Sequence, residues 1–183
     1  MQYLAILTGL KACKKMLKII VSGPESSGKT TLCVGLAKYF KIPFLREYAR
    51  EYISNLNKAY TKDDLLSIAK KQYGLEQINS NLVLCDTDLI TIKIWSKYKY
   101  GDCDKWINRH IEKQKEENRF YLLCKGDITW QYDPQRENPT DRDKLFNLYK
   151  KELNNLGYNY TIIEGENRKE DAIKAIKQFL PSN

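Results

Sequence analysis

Val21–Leu32 reads VSGPESSGKTTL, and the rest of the 183-residue sequence is best read outward from it. Gly23, Pro24, Glu25, Ser26, Ser27, Gly28, Lys29 and Thr30 match G-x-x-x-x-G-K-[ST] without a gap. The residues before it, LKIIVSG, form a short apolar, β-branched run closed by glycine, which predicts a buried strand. Those after it, KTTLCVGLAKYFK, place Leu32, Leu36, Ala37 and Phe40 at helical spacing. A strand, a glycine-bearing turn and a helix start together aim backbone N–H groups at an anion. Gly23, Glu25, Ser26, Ser27, Gly28, Lys29, Thr30 and Thr31 are therefore expected to hold a nucleotide, with Lys29 reaching the β- and γ-phosphates. Thr30 is expected to ligate Mg²⁺. Kinases, GTPases and ATPases share this loop, so it implies a nucleotide without specifying a reaction.

Strands and helices alternate through the remainder. IPFLRE predicts a second short strand and AREYISNL the start of a helix. Thr61 is placed to cap the next helix, with Asp63 and Asp64 in its first turn complementing the helix dipole. NLVLCDTD, RFYLLCKGD and YNYTIIEG predict three more strands, and NRKEDAIKAIKQFL a closing helix. The expectation is an α/β fold of P-loop type, a parallel five-stranded sheet with helices on both faces. Ile128–Arg142, ITWQYDPQRENPTDR, reads as an irregular segment, a loop or mobile lid. Residues 1–16 read as an extension ahead of the first strand and 17–183 as one domain.

Composition sets limits. No apolar stretch approaches the ~20 residues of a membrane span, and the first 16 residues lack a basic leader and a small-residue cleavage site. Five scattered cysteines without a C-x-x-C pair fit reduced thiols in a cytoplasmic protein. The single histidine, His110, sits in a charged helical run and reads as a surface residue. The net charge of +8 is spread through helices beside Glu and Asp, which a solvated face or a polyphosphate site explains as well as a nucleic-acid face does, so the charge alone decides nothing.

In open α/β sheets, ligands lie outside the carboxyl ends of the strands. LVLCDTD brings Asp86 and Asp88 there, and PFLREYAR brings Arg46, Glu47 and Arg50. Asp86 is expected to hold the metal. Glu47, ranked ahead of Asp88, is the expected base for an acceptor hydroxyl. A helix cap is the competing role for Asp86 or Asp88. Arg136 and Arg142 in the lid segment are suited to neutralising charge on a phosphoryl group in flight. Trp130, Tyr132, Tyr48, Tyr52 and Trp95 flank the predicted crevice; most are expected to pack, and one or two to stack on a flat ring.

Taken together, GPESSGKTTL, REYAREYI, LCDTDLITIKIWSKYKYG and YLLCKGDITWQYDPQRENPTDR resemble, in order and spacing, the ribosylnicotinamide kinase domain of the NadR family. The resemblance runs from about Leu17 to Gly165. It implies ATP- and Mg²⁺-dependent phosphorylation of the 5′-hydroxyl of nicotinamide riboside to nicotinamide mononucleotide. Lys29, Glu47, Asp88, Arg136 and Arg142 would then be catalytic, and Arg46, Tyr48, Arg50, Asp88, Trp95 and Trp130 would bind substrate. The expected partner is a small nucleoside, with no nucleic acid and no membrane, and self-association is left open. The family's adenylyl transfer uses an H-x-G-H type motif, which a chain with one histidine lacks, and a separate adenylyltransferase in the same pathway is left open. Where the family often carries D-G after the tryptophan, this sequence has Asp133-Pro134.

Other readings are a different nucleoside or nucleotide kinase, or a nucleotide-hydrolysing switch. Guanine selection usually needs N-K-x-D. CKGD, Cys124–Asp127, lacks the asparagine, and ATP is the expected nucleotide.

Overall fold

The computed structural model describes residues 16–78 and 80–180. The N-terminal extension expected over 1–16, apart from Met16, lies outside the described residues. In chain order the elements are β1 (Leu17–Ser22), α1 (Lys29–Phe40), β2 (Phe44–Leu45), α2 (Tyr48–Ser54), α3 (Lys62–Leu75) and β3 (Leu82–Asp86). They continue with α4 (Leu89–Tyr100), α5 (Lys105–Gln114), β4 (Asn118–Cys124), α6 (Arg142–Leu156), β5 (Asn159–Ile163) and α7 (Arg168–Phe179).

The five strands form one sheet in the order β2-β3-β1-β4-β5, and every pairing is parallel. β1 is central, with all six residues buried, the apolar Leu17, Ile19, Ile20 and Val21 together with Lys18 and Ser22. Alternation along the strands builds two cores. Leu17, Ile19 and Val21 of β1 meet Leu32, Cys33 and Leu36 of α1 and Ala172 and Ile176 of α7. Ile20, Val83, Cys85, Tyr121 and Leu123 face the opposite way, toward α2 through α6. Both faces are thus covered, and all five expected strands are present, the second reduced to two residues.

Local chemistry fixes the helix ends as the sequence suggests. Thr61 and Asp64 form a reciprocal capping box at the start of α3. Gly101 and Gly157 end α4 and α6 in the left-handed conformation that glycine adopts without strain. Residues 128–141 carry no regular element, as expected. His110 is only half-buried, stacked on Trp106 at 3.7 Å, with Nδ1 on the Trp106 carbonyl. The four cysteines among the described residues are free. No described helix is long and apolar enough to cross a membrane.

Replacing Ile68, which is fully buried in the larger core, by alanine should cost about 2–5 kcal/mol of unfolding free energy. Thr61→Ala should cost about 1 kcal/mol. Urea titrations of both variants against the parent check the pair.

Candidate active site

Gly23 opens the phosphate loop where β1 ends, with φ of 137°. A Cβ there would lie 2.3 Å from the carbonyl oxygen of Cys124, so only glycine lets the loop rest against the end of β4. Ser26 (φ 51°) and Gly28 (φ 76°) are also left-handed, which curls the loop into a concave backbone surface. Ser27 Oγ donates to the Pro24 carbonyl at 2.8 Å and closes the curl. Lys29 Nζ donates to the carbonyls of Gly23 (3.0 Å) and Pro24 (2.7 Å), holding its charge over the hollow.

Thr30 Oγ1 donates to Asp86 Oδ2 at 2.6 Å, joining the start of α1 to the end of β3. The other Asp86 oxygen is buried without a partner among the described residues. Burial raises the Asp86 carboxyl above its ordinary value, opposed by the Thr30 hydrogen bond and by Lys29. A hydroxyl and a carboxylate at a phosphate hollow, with one oxygen unspent, are the donor set that suits a partly hydrated Mg²⁺.

Beside the loop lies a cavity of about 230 Å³. Its lining combines a polar set, Gly23 through Thr31, Glu47, Arg50 and Arg136, with an apolar and aromatic set, Ile53, Ile94, Trp95, Tyr98, Leu145 and Tyr149. Glu47 stands at the N-cap of α2, yet its side chain does not cap that helix. Burial raises its carboxyl above the ordinary 4.5, with Lys29 and Arg50 opposing and Asp86 reinforcing the rise.

The irregular segment is docked over the loop. Glu25 Oε2 accepts from the backbone N–H of Glu137 and of Asn138, both at 2.9 Å. Ser26 Oγ accepts from Gln131 N at 3.0 Å and from Arg136 Nη1 at 3.4 Å. Arg50 Nη1 meets Asp133 Oδ2 at 2.6 Å, and this contact, with the Gln135 N–H, holds the Asp133 carboxyl below its usual range. Pro134 fits because Asp133–Arg136 is a turn closed by Arg136 N–H on the Asp133 carbonyl, and proline favours the second position of such a turn.

Of the expected site residues, the phosphate-loop set, Glu47, Arg50, Trp95 and Arg136 line the cavity, and Asp86 joins through Thr30. Asp88 does not. Fully buried, it caps α4 through Ile90 N and accepts from Tyr121 Oη (2.7 Å) and Arg119 Nη2 (3.2 Å). Arg46 is exposed and lies over Phe44. Tyr48 pairs edge-on with Tyr52 while its N–H bonds Gln72, because Ala49, Arg50 and Ile53 are the residues of α2 that face the cavity. Trp130 sits outside the cavity lining under the Arg142 guanidinium. Arg142 itself donates to the carbonyls of Ile128 and Ser26, bracing the base of the lid and the loop. Asp127 of CKGD accepts from Gly165 N and from Arg168, which accounts for it structurally.

Thr91, Ile94, Tyr98 and Tyr149 line the cavity without having been singled out from the sequence. A signal existed: Thr91, Ile94, Trp95 and Tyr98 fall at i, i+3, i+4 and i+7, one stripe of α4.

Comparison with known proteins agrees with this geometry. Two structures of NadR, one in complex with NR and one with NAD and AMP-PNP, superpose with TM-scores of 0.70 at 22% and 23% identity. Each alignment covers 92% of this chain, but only 52% and 50% of the respective NadR chains, so this chain spans about half their length. Deoxyadenosine kinase from M. mycoides, with products dCMP and dCDP, aligns at a TM-score of 0.60 and 15% identity, over 89% of this chain and 98% of its own. These likenesses show that the chain shares its fold with those proteins. No curated protein sequence matches the chain. The profile of the AAA domain family matches residues 18–170, from the central strand into the last helix, and the chain belongs to that family.

Proposed function

We propose that the protein transfers the γ-phosphoryl group of ATP to the 5′-hydroxyl of nicotinamide riboside, giving nicotinamide mononucleotide and ADP. The observation that carries the reading is Glu47. Its carboxylate is uncommitted to its own helix, and it lines the same cavity as the phosphate loop and the aromatic side chains. A nucleoside with its ring toward Trp95, Tyr98 and Tyr149 would direct its hydroxyl toward this carboxylate and the loop. The motif set REYAREYI, CDTD and the lid supports the riboside, as does the likeness to NadR holding NR. The likeness to NadR holding AMP-PNP supports ATP as donor.

The roles follow from position. The loop N–H groups and Lys29 bind and orient the phosphates. Glu47 accepts the hydroxyl proton as the ribose oxygen bonds to phosphorus and the bridging oxygen departs with ADP. Arg136, held against Ser26 beside the loop, offsets charge on the transferring group, and the docked lid excludes water. Thr30 and Asp86 would hold Mg²⁺, which supplies neutralising charge at the phosphate oxygens. A pyridinium ring beside Trp95 would gain about 0.5–2 kcal/mol from cation–π attraction. The free thiols suit a reducing, cytoplasmic setting.

The testing experiment is a coupled ATP assay with nicotinamide riboside, the common nucleosides and deoxynucleosides, and no acceptor. Turnover with nicotinamide riboside far above the others is the expected result. Turnover confined to another nucleoside keeps the kinase and discards the substrate, while acceptor-independent ATP loss discards both.

Lys29→Ala and Arg136→Ala should each lower kcat by about 100-fold or more. For Arg136→Ala the ATP KM should change little, as steady-state kinetics will show. Because burial raises the Glu47 carboxyl, the acid limb of kcat/KM should lie above pH 4.5, activity falling as the pH drops through it. Glu47→Gln should remove that limb and cost about 10²–10⁴-fold in rate.

A further inference from the structure

Asp86 and Asp88 are two residues apart, yet their carboxylates leave the sheet on opposite sides. Asp86 has the parity of Leu82 and Leu84 and meets Thr30 of α1. Asp88 enters the α2–α6 side and meets Arg119 and Tyr121. Between them Thr87 has φ of 67°, a left-handed conformation that a β-branched residue adopts only when its surroundings impose it. The Thr87 N–H still donates to the Val21 carbonyl at 3.0 Å, so the reversal occurs directly beyond the β1–β3 ladder.

Beyond Thr87 the chain is held through Asp88. Its Oδ1 takes the Ile90 N–H and fixes the first turn of α4, while Oδ2 takes Tyr121 Oη and Arg119 Nη2. Arg119 is immobilised in turn by Glu76 Oε2, which both terminal nitrogens reach at 2.9 Å, and by Glu117 at 2.7 Å. Lys18, its register partner on β1, reaches the same two carboxylates. The Asp88 carboxylate is therefore tied to β4 through the Tyr121 and Arg119 side chains, which have no access to solvent.

We propose that Asp88, backed by Tyr121 and Arg119, is a positioning residue that holds the left-handed turn at Thr87, aiming Asp86 at the metal and seating the cavity stripe of α4. The proposal deepens the kinase reading and rests on its assignment of Thr30 and Asp86 to Mg²⁺. Metal-ligating carboxylates depend on the groups that orient them, and loss of such a group typically costs about 10–100-fold in metal affinity.

The test is calorimetric titration with ADP, with Mg²⁺ and with chelator, on the full chain, Tyr121→Phe and Asp88→Asn. Tyr121→Phe removes one hydroxyl and leaves the ring in the core. Circular dichroism identifies which variants fold. The expected result is Mg²⁺-free ADP binding unchanged, and the gain in affinity due to Mg²⁺ reduced by about 10-fold in Tyr121→Phe and in every other variant that folds. A parental Mg²⁺ gain in a folded Tyr121→Phe protein overturns the proposal. So does an equal weakening with and without Mg²⁺, which would mark general loosening. No acceptor enters the titration, so a failed acceptor panel would sink the kinase reading and leave this outcome standing.

Discussion

Gly23 lies so close to the Cys124 carbonyl that no side chain fits between them. This contact presses the phosphate loop against the end of β4 as well as β1. The segment leaving β4 consequently emerges beside the loop that it later covers. Thr30 and Asp86 then stitch the start of α1 to the end of β3 on the other side of β1. Three neighbouring strands thus contribute to one hollow: β1 the loop, β3 a carboxylate and β4 the lid.

The lid is held by many small contacts. Glu25 and Ser26 accept its backbone and side-chain donors, Arg50 pairs with Asp133, and Tyr60 donates to Glu137 while accepting from Trp95. Ion pairs as exposed as Arg50–Asp133 contribute about 0–1 kcal/mol each, so such a segment can open at small cost while the sheet stays intact. The Glu137–Tyr60–Trp95 chain also links this segment to the wall of the cavity.

Beneath the sheet the balance differs. Lys18, Glu76, Arg119 and Asp88 form a network almost without solvent contact, and one oxygen of Glu76 and Nε of Arg119 have no partner among the described residues. Removing one member of a buried pair typically costs about 3–5 kcal/mol, whereas an apolar replacement of the whole set can be neutral. Stability alone therefore gives little reason for such a cluster. Its service is directional, since it joins the β-strands to the helix that carries Thr91, Trp95 and Tyr98.

What the sequence determined by itself is what depends on near neighbours. The phosphate loop, its strand and helix, the Thr61 cap and the alternation that builds a parallel sheet all follow from spacings of a few residues. Asp86 was legible because an acid closing an apolar strand has a fixed place in such a sheet. Only the tertiary structure decided side-chain direction beyond those ends. One left-handed residue at Thr87 sends Asp88 into the core, and the rotation of α2 aims Arg50 and Ile53 at the cavity while turning Tyr48 away. The placement of Trp130 and Arg142 was not legible for the same reason, because an irregular segment has no periodicity from which direction can be read. A dihedral of one residue, or the phase of one short helix, is set by packing against distant strands, and the local sequence does not encode it.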